Sequence, residues 1–232
     1  MVYHTTPKMA KRKEAHRAKF LQTALHLFGS KGYHATTVPD IVREAGSSTG
    51  AFYFYFRNKE DVFASVLEFV GEQIAAALNK AIAGVGENAI SQMRVAVETF
   101  IVYLVAHPDE ARVLIVESSG LTPRLGNVRR AIIASHCRSV EGALASSPRP
   151  MTRAVRTVVA SCWVGAVHEA VYQWLHTPQR ERIKAEILAQ EVSSFNLRGI
   201  GAEKEASRRI CRKKAPPIEV VTLGILLRTP VR

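Results

Sequence analysis

The chain is short of cysteine, of acidic charge and of long uninterrupted apolar runs. Its three cysteines (Cys137, Cys162 and Cys211) are too few and too scattered for a disulfide framework or a cysteine-based zinc site. No run reaches the roughly 18 to 20 uncharged apolar residues needed to cross a bilayer. The longest candidates are interrupted by Glu68 and Glu72, or by Arg156 and His168. The opening MVYHTTPKMAKRK is basic and polar and lacks the apolar segment of a secretory signal. Strand-like alternation is missing too, except over Ile218–Leu227 behind a Pro-Pro pair. These absences predict a cytoplasmic helical protein with no membrane association, cofactor or metal.

Apolar residues make up 47% of the 232, enough for one large core or for a small domain joined to a larger one. The net charge of +12 is unevenly placed. Residues 1–35 hold seven Lys/Arg against one Glu, and 198–232 hold nine against three. The intervening 36–197 carries sixteen of each sign and is neutral. Basic ends suit a polyanion, but charge alone does not separate a reader of nucleic acid from a solvated tail.

Helical periodicity runs from the first helix to about residue 197. Phe20, Leu21, Ala24, Leu25 and Phe28 recur on one face. Thr37-Val-Pro-Asp40 has the form of a capping box, with Pro39 in the first turn. Val38, Ile41, Val42 and Ala45 follow as a short amphipathic helix stopped by Gly46. A second short helix starts near Ser47–Thr49 and buries Phe52 and Phe56. Asn58-Lys-Glu-Asp61 then opens a long helix over 58–82. Further helices are expected at about 87–106, 108–119, 123–146, 151–176 and 179–197.

Two short helices joined by a tight glycine turn form the helix-turn-helix pattern. Its second helix must present small polar residues to base edges and phosphates, and Ser48, Thr49, Gly50 and Ala51 meet that demand. Tyr53 and Tyr55, read as lying off the Phe52/Phe56 face, can offer hydroxyls to phosphate. Lys59 can add charge. Three other motifs fail on context. Gly46-Ser-Ser48-Thr-Gly50 fits a hydrolase nucleophile elbow but follows a helix rather than a strand. Gly84-Val-Gly86-Glu-Asn-Ala89 lacks the βαβ unit of a dinucleotide site. His168-Glu169 would begin a zinc-protease motif, but residue 172 is Tyr. Nothing else resembles catalytic machinery, so no enzyme is expected.

Residues 14–67 resemble the DNA-binding domain of TetR-family transcriptional regulators. The likeness runs from LFGSKGYHATTV through PDIVREAGSSTGAFYFYF to NKEDVF. It implies that Thr37, Ser48, Thr49, Gly50, Ala51, Tyr53, Tyr55 and Lys59 occupy DNA-contacting positions. The sequence departs from the common pattern at Thr49 (often Lys), Phe54 (often Tyr, so that one hydroxyl is missing) and Tyr55 (often His).

The organisation expected is all-α: a basic arm over 1–13, a DNA-binding domain over 14–60 with its helix-turn-helix at 37–56, a larger helical ligand-binding and dimerisation domain over 61–197, and a basic extension over 198–232. Residues 151–197 resemble the family's dimer helices, with Ala160, Gly165 and Ala166 allowing close approach and Val159, Val167 and Val171 adding apolar surface. Phe100, Tyr103, His107, Trp163, His168 and Tyr172 are the candidate lining of a pocket for a small, hydrophobic or acyl-type effector. The implied function is a homodimeric repressor released from a pseudo-palindromic operator in double-stranded DNA. The alternative is a helical protein that binds DNA by charge, without sequence reading or ligand control.

Overall fold

The computed structural model describes residues 7–202, and no strand occurs among them. The first helix, α1, spans Pro7–Lys31, so Lys11, Arg12 and Lys13 are helical rather than a separate arm. Residues 1–6, the basic stretch 204–214 and the alternating run 218–227 lie outside the described residues.

Helices α2 (Val38–Glu44) and α3 (Thr49–Tyr55) follow where the caps place them. Thr37 accepts from the Asp40 amide while Asp40 accepts from the Thr37 amide, which completes the capping box. Ser48 caps α3 through the Ala51 amide. Between them Gly46 adopts φ +55°, a left-handed conformation that costs glycine little and other residues more. The chain can therefore reverse within the four residues that separate α2 from α3.

Asn58 caps α4 (Lys59–Ala83). Its first turns pack on α1 and its later turns enter the larger helical body. The joint core is aromatic and has no exposure at Phe20, Phe28, Phe52 or Phe63. Phe20 meets Phe52 edge-on at 5.6 Å, and Phe28 meets Phe63 at 4.9 Å. Burying each ring stabilises by roughly 1.5–3 kcal/mol, which is much of what a domain this small possesses.

The larger body contains α5 (Ala89–Ala106), α6 (Pro108–Ala111), α7 (Pro123–Ala143), α8 (Arg153–His176) and α9 (Ala185–Gly199). α5 lies at its centre, packed on α9 and α4. Its mean hydropathy of 1.4 over 18 residues is high enough, by length and composition, to cross a membrane. It carries Arg94 and Glu98 as a mostly buried ion pair at 3.6 Å, and the packing on α4 and α9 accounts for its apolar character.

Several boundaries differ from the sequence reading. The expected helix 108–119 is a single α-turn that widens into a π-helical stretch, Arg112–Glu117. α9 begins at Ala185 rather than 179 because residues 177–184 fold back on the end of α8. There Arg182 donates to the Thr177 and Leu175 carbonyls, each at 2.8 Å, and stacks over Trp174. The helical body also continues past 197: Ile200 and Ala202 are buried, and Ser147 donates to the Ile200 carbonyl.

Candidate nucleic-acid interface and effector cavity

α3 has two distinct faces. Ala51, Phe52, Tyr55 and Phe56 turn inward, whereas Thr49, Gly50, Tyr53 and Phe54 turn outward. Tyr53 is 55% exposed and Phe54 65%. This corrects the placement of Tyr55. Its ring is half-buried against His16 and Phe20 of α1, at 5.7 and 6.2 Å. Phe54 takes the outward place, and no hydroxyl stands there.

Ser48, Thr49 and Gly50 are exposed at the start of α3, and a Cβ added at Gly50 would meet nothing within 4 Å. Thr37 is exposed at the start of α2, its hydroxyl donating to Asp40 at 2.6 Å. The arrangement therefore offers one convex edge of small polar groups and two aromatic rings. Ala51 is only half-exposed and packs on the core. Lys59 is already engaged: its ammonium donates to the Tyr33 carbonyl at 2.9 Å and sits 4.3 Å over the Tyr33 ring. Burial lowers its pKa, so the charge assigned to a phosphate also anchors the loop between α1 and α2.

The α1 helix supplies cations that the sequence reading placed only loosely. Lys13 lies 4.7 Å over the exposed Phe54 ring, and Arg17 lies 5.3 Å over Phe56. Lys11, Arg12 and Lys19 are exposed on the same helix, as are Arg43 on α2 and Arg57 after α3. His16 bonds the Ser47 hydroxyl at 3.0 Å and ties α1 to the turn. The basic run opening α1 is plain in the sequence, but the placement of Lys13 and Arg17 against these rings depends on contacts between distant segments.

Polar contacts join this small domain to the larger body. His26 of α1 meets Asp109 of α6 at 2.8 Å, and the Tyr33 amide donates to Glu117 at 2.8 Å. Arg124 pairs with Asp61 at 2.6 Å, and Thr122 donates to Glu60. The π-helical stretch thus ends on a carboxylate that holds the α1–α2 loop.

In the larger body a cavity of about 810 Å³ lies between α4 and α7, floored by α5 and α8. Phe100, Trp163 and His168 line it, together with His136. A second cavity of about 260 Å³ shares His168 and is lined also by Tyr172, Arg129 and Ser119. Tyr103 and His107 belong to neither. Tyr103 stacks on His107 at 4.2 Å and donates to Glu110 at 2.6 Å, holding the bend into α6. Proline at 108 turns the chain there, which converts two apparent lining residues into a local clasp.

His168 stacks on Phe100 at 5.5 Å. Burial, then the nearby His136 and Arg129, push its pKa down to about 4. The folded protein therefore resists a proton that the unfolded chain accepts below its ordinary value near 6.5. Stability should fall as pH drops from about 6.5 and level off near 4, a loss of up to roughly 3 kcal/mol for one such group. Denaturant titrations across that range should show a shallower fall in His168→Phe. An equal fall in both proteins would contradict the assignment.

The dimer residues expected on α8 also need correction. Ala160, Val167 and Val171 are buried within the protomer. The face left outward carries Val155, Val158, Cys162, Gly165, Glu169 and Tyr172, and α9 leaves Ile187 and Phe195 outward beside it.

Residues 20–66 match the family described as bacterial regulatory proteins, tetR family. The uncharacterized HTH-type transcriptional regulator YfiR of Bacillus subtilis is 38% identical over 64 residues, 27% of this chain and 31% of its own length. The chain spans less than a third of the length of the curated relatives it first matches. Likeness of fold extends further. The transcriptional regulator FadR from Bacillus subtilis, solved in complex with stearoyl-CoA, superposes with TM-score 0.68 at 20% identity, over 79% of this chain and 98% of that one. AibR, solved with isovaleryl coenzyme A and operator DNA, superposes with TM-score 0.63 at 19% identity, over 78% and 97%. Residues 20–66 thus carry the helix-turn-helix of the tetR family of bacterial regulatory proteins, and the larger helical body shares the fold of these solved regulators.

Proposed function

We propose that the protein is a DNA-binding transcriptional regulator that reads a pseudo-palindromic operator as a homodimer and releases it when a small molecule occupies the α4–α7 cavity. The observation that carries this reading is the outward face of α3. Thr49, Gly50, Tyr53 and Phe54 project together from a capped helix, beside the cations of α1. Small groups let the helix enter a major groove closely, and cations beside it neutralise phosphate. Phe54 suits apolar contact with a thymine methyl, which a tyrosine hydroxyl would disturb.

One short helix reads too few base pairs for useful specificity, so two must act together. The uncovered apolar residues of α8 and α9 (Val155, Val158, Ile187 and Phe195) supply a surface for a second copy. The two copies would then be related by a two-fold axis. The cavity is lined mainly by Val97, Phe100, Ile132, Trp163, Val164 and Val167, which favours a hydrophobic effector. FadR and AibR were each solved with an acyl coenzyme A, which supports an acyl-type ligand for this related fold. Binding that favours a different α4–α6 arrangement must weaken operator binding by the same factor that operator weakens ligand binding. Repression and a cytoplasmic location follow from this reading.

Thr49→Ala and Lys13→Ala separate base reading from phosphate contact. Duplexes selected by Thr49→Ala should differ in consensus from those selected by the parent. Lys13→Ala should weaken all duplexes alike and reduce the salt slope by about 0.9. An unchanged consensus for Thr49→Ala would remove the base-reading role of α3.

A further inference from the structure

The smaller cavity contains an unusual grouping for a wall between two helices. Arg129 of α7 and His168 of α8 both line it, and Arg129 Nε and His168 Nε2 are buried with no hydrogen-bond partner. Arg129 forms no ion pair among the described residues. The Tyr172 and Ser119 side chains, both exposed at the mouth, line the same space. Glu169 is the single acid of the lining, and its carboxylate accepts from Gln173 at 2.7 Å. Buried polar atoms are ordinarily satisfied, because an unmade hydrogen bond costs about 1–3 kcal/mol. Two orphaned atoms on one cavity wall therefore point to a group that arrives from outside.

His168 also lines the larger apolar cavity, so the two spaces meet at its ring. Resting on the reading of that cavity as the effector site, we propose that the effector is an amphiphilic carboxylate. Its apolar body fills the space between α4 and α7, and its carboxylate sits between Arg129 and His168. Arg129 provides the charge, and a guanidinium matches a carboxylate with two parallel N–H donors. The neutral His168 ring adds a donor in its Nε2–H tautomer, and Tyr172 and Ser119 add hydroxyls. Phe100, stacked on His168, fixes the ring angle. A quaternary ammonium or a neutral ester would give the half-buried Arg129 no counter-charge and leave its Nε unpaired.

Tryptophan fluorescence gives the test, because Trp163 lies in the wall of the larger cavity. The full chain is titrated with decanoate, methyl decanoate, decyltrimethylammonium and decanoyl-CoA, and operator release is followed in parallel. Decanoate should bind most tightly of the four, and Arg129→Gln should weaken it by about 10- to 100-fold. Methyl decanoate should bind weakly and equally to both proteins. Tyr172→Phe, a milder change, should weaken decanoate severalfold and keeps the test valid if Arg129→Gln folds poorly. Decanoate binding that ignores both substitutions overturns the carboxylate site. Tighter binding and operator release by decanoyl-CoA or by the cation would also overturn it, while the effector cavity stands. Should none of the four perturb the fluorescence, the carboxylate site and the amphiphile cavity fall together.

Discussion

Phe195→Arg combined with Val158→Arg should convert the protein to a folded monomer that has lost tight operator binding. Phe195 is 64% exposed and Val158 63%, so neither substitution disturbs the protomer's own core. Surface changes of this kind usually alter stability by less than about 0.5 kcal/mol. In a two-fold interface each substitution appears twice, and opposing cations on adjoining α8 and α9 faces would repel at close range. Once one reading head is bound, the second acts at the effective concentration set by the linkage between them. Losing that linkage should reduce operator affinity by about 10²- to 10⁴-fold. Light scattering should report half the parent mass, and circular dichroism should be unchanged. A dimer that persists at the parent's concentration range would show that another surface joins the two copies.

Gly29→Ala should have the second large effect, on communication between the two domains. An added Cβ would lie 2.5 Å from the Asp109 Cα and 2.6 Å from its Cβ. Both neighbours are fixed by the α6 turn, so the helices must separate. Overpacking of this kind costs about 1–3 kcal/mol, or roughly 2–12 °C in Tm for a chain of this size. Separation would also stretch the adjacent contacts, His26 to Asp109 and Tyr33 to Glu117. Operator binding without effector should survive, because α3 and its cap lie elsewhere. Release by effector should become much weaker than in the parent. Unchanged release, with Tm lowered as expected, would show that coupling runs through α4 alone.

Much of the helix-turn-helix domain was legible because its signals are local. Thr37 with Asp40, Ser48, Asn58 and Gly46 each act within four residues of themselves, and each stands where the pattern placed it. The burial of Phe52 and Phe56 was equally plain. Which neighbour joined them was not. α3 has only two turns and is embraced by α1, so its inward face widens to include Tyr55 and expels Phe54. That depends on where Phe20 and His16 lie, a fact of the fold rather than of spacing.

The larger body shows the same limit more strongly. Phe100, Trp163 and His168 could be picked from aromatic placement on apolar helices. Tyr103 and His107 have the same signature but close on each other and on Glu110, because Pro108 bends the chain beside them. Arg129 and His136 gave no signal, since an arginine on a basic helix reads as solvated. The π-helical stretch is also silent in composition: its i→i+5 bonds use ordinary Val, Leu and Ile residues.

Selection of bound duplexes from a random pool, with the purified chain at about 150 mM salt, tests the central claim most directly. A two-headed reader predicts a pseudo-palindrome with half-sites about one helical turn apart, or a multiple of it. Enrichment without any shared sequence, and with a steep salt dependence, would contradict that account. It would transfer the function from the outward face of α3 to the cations of α1.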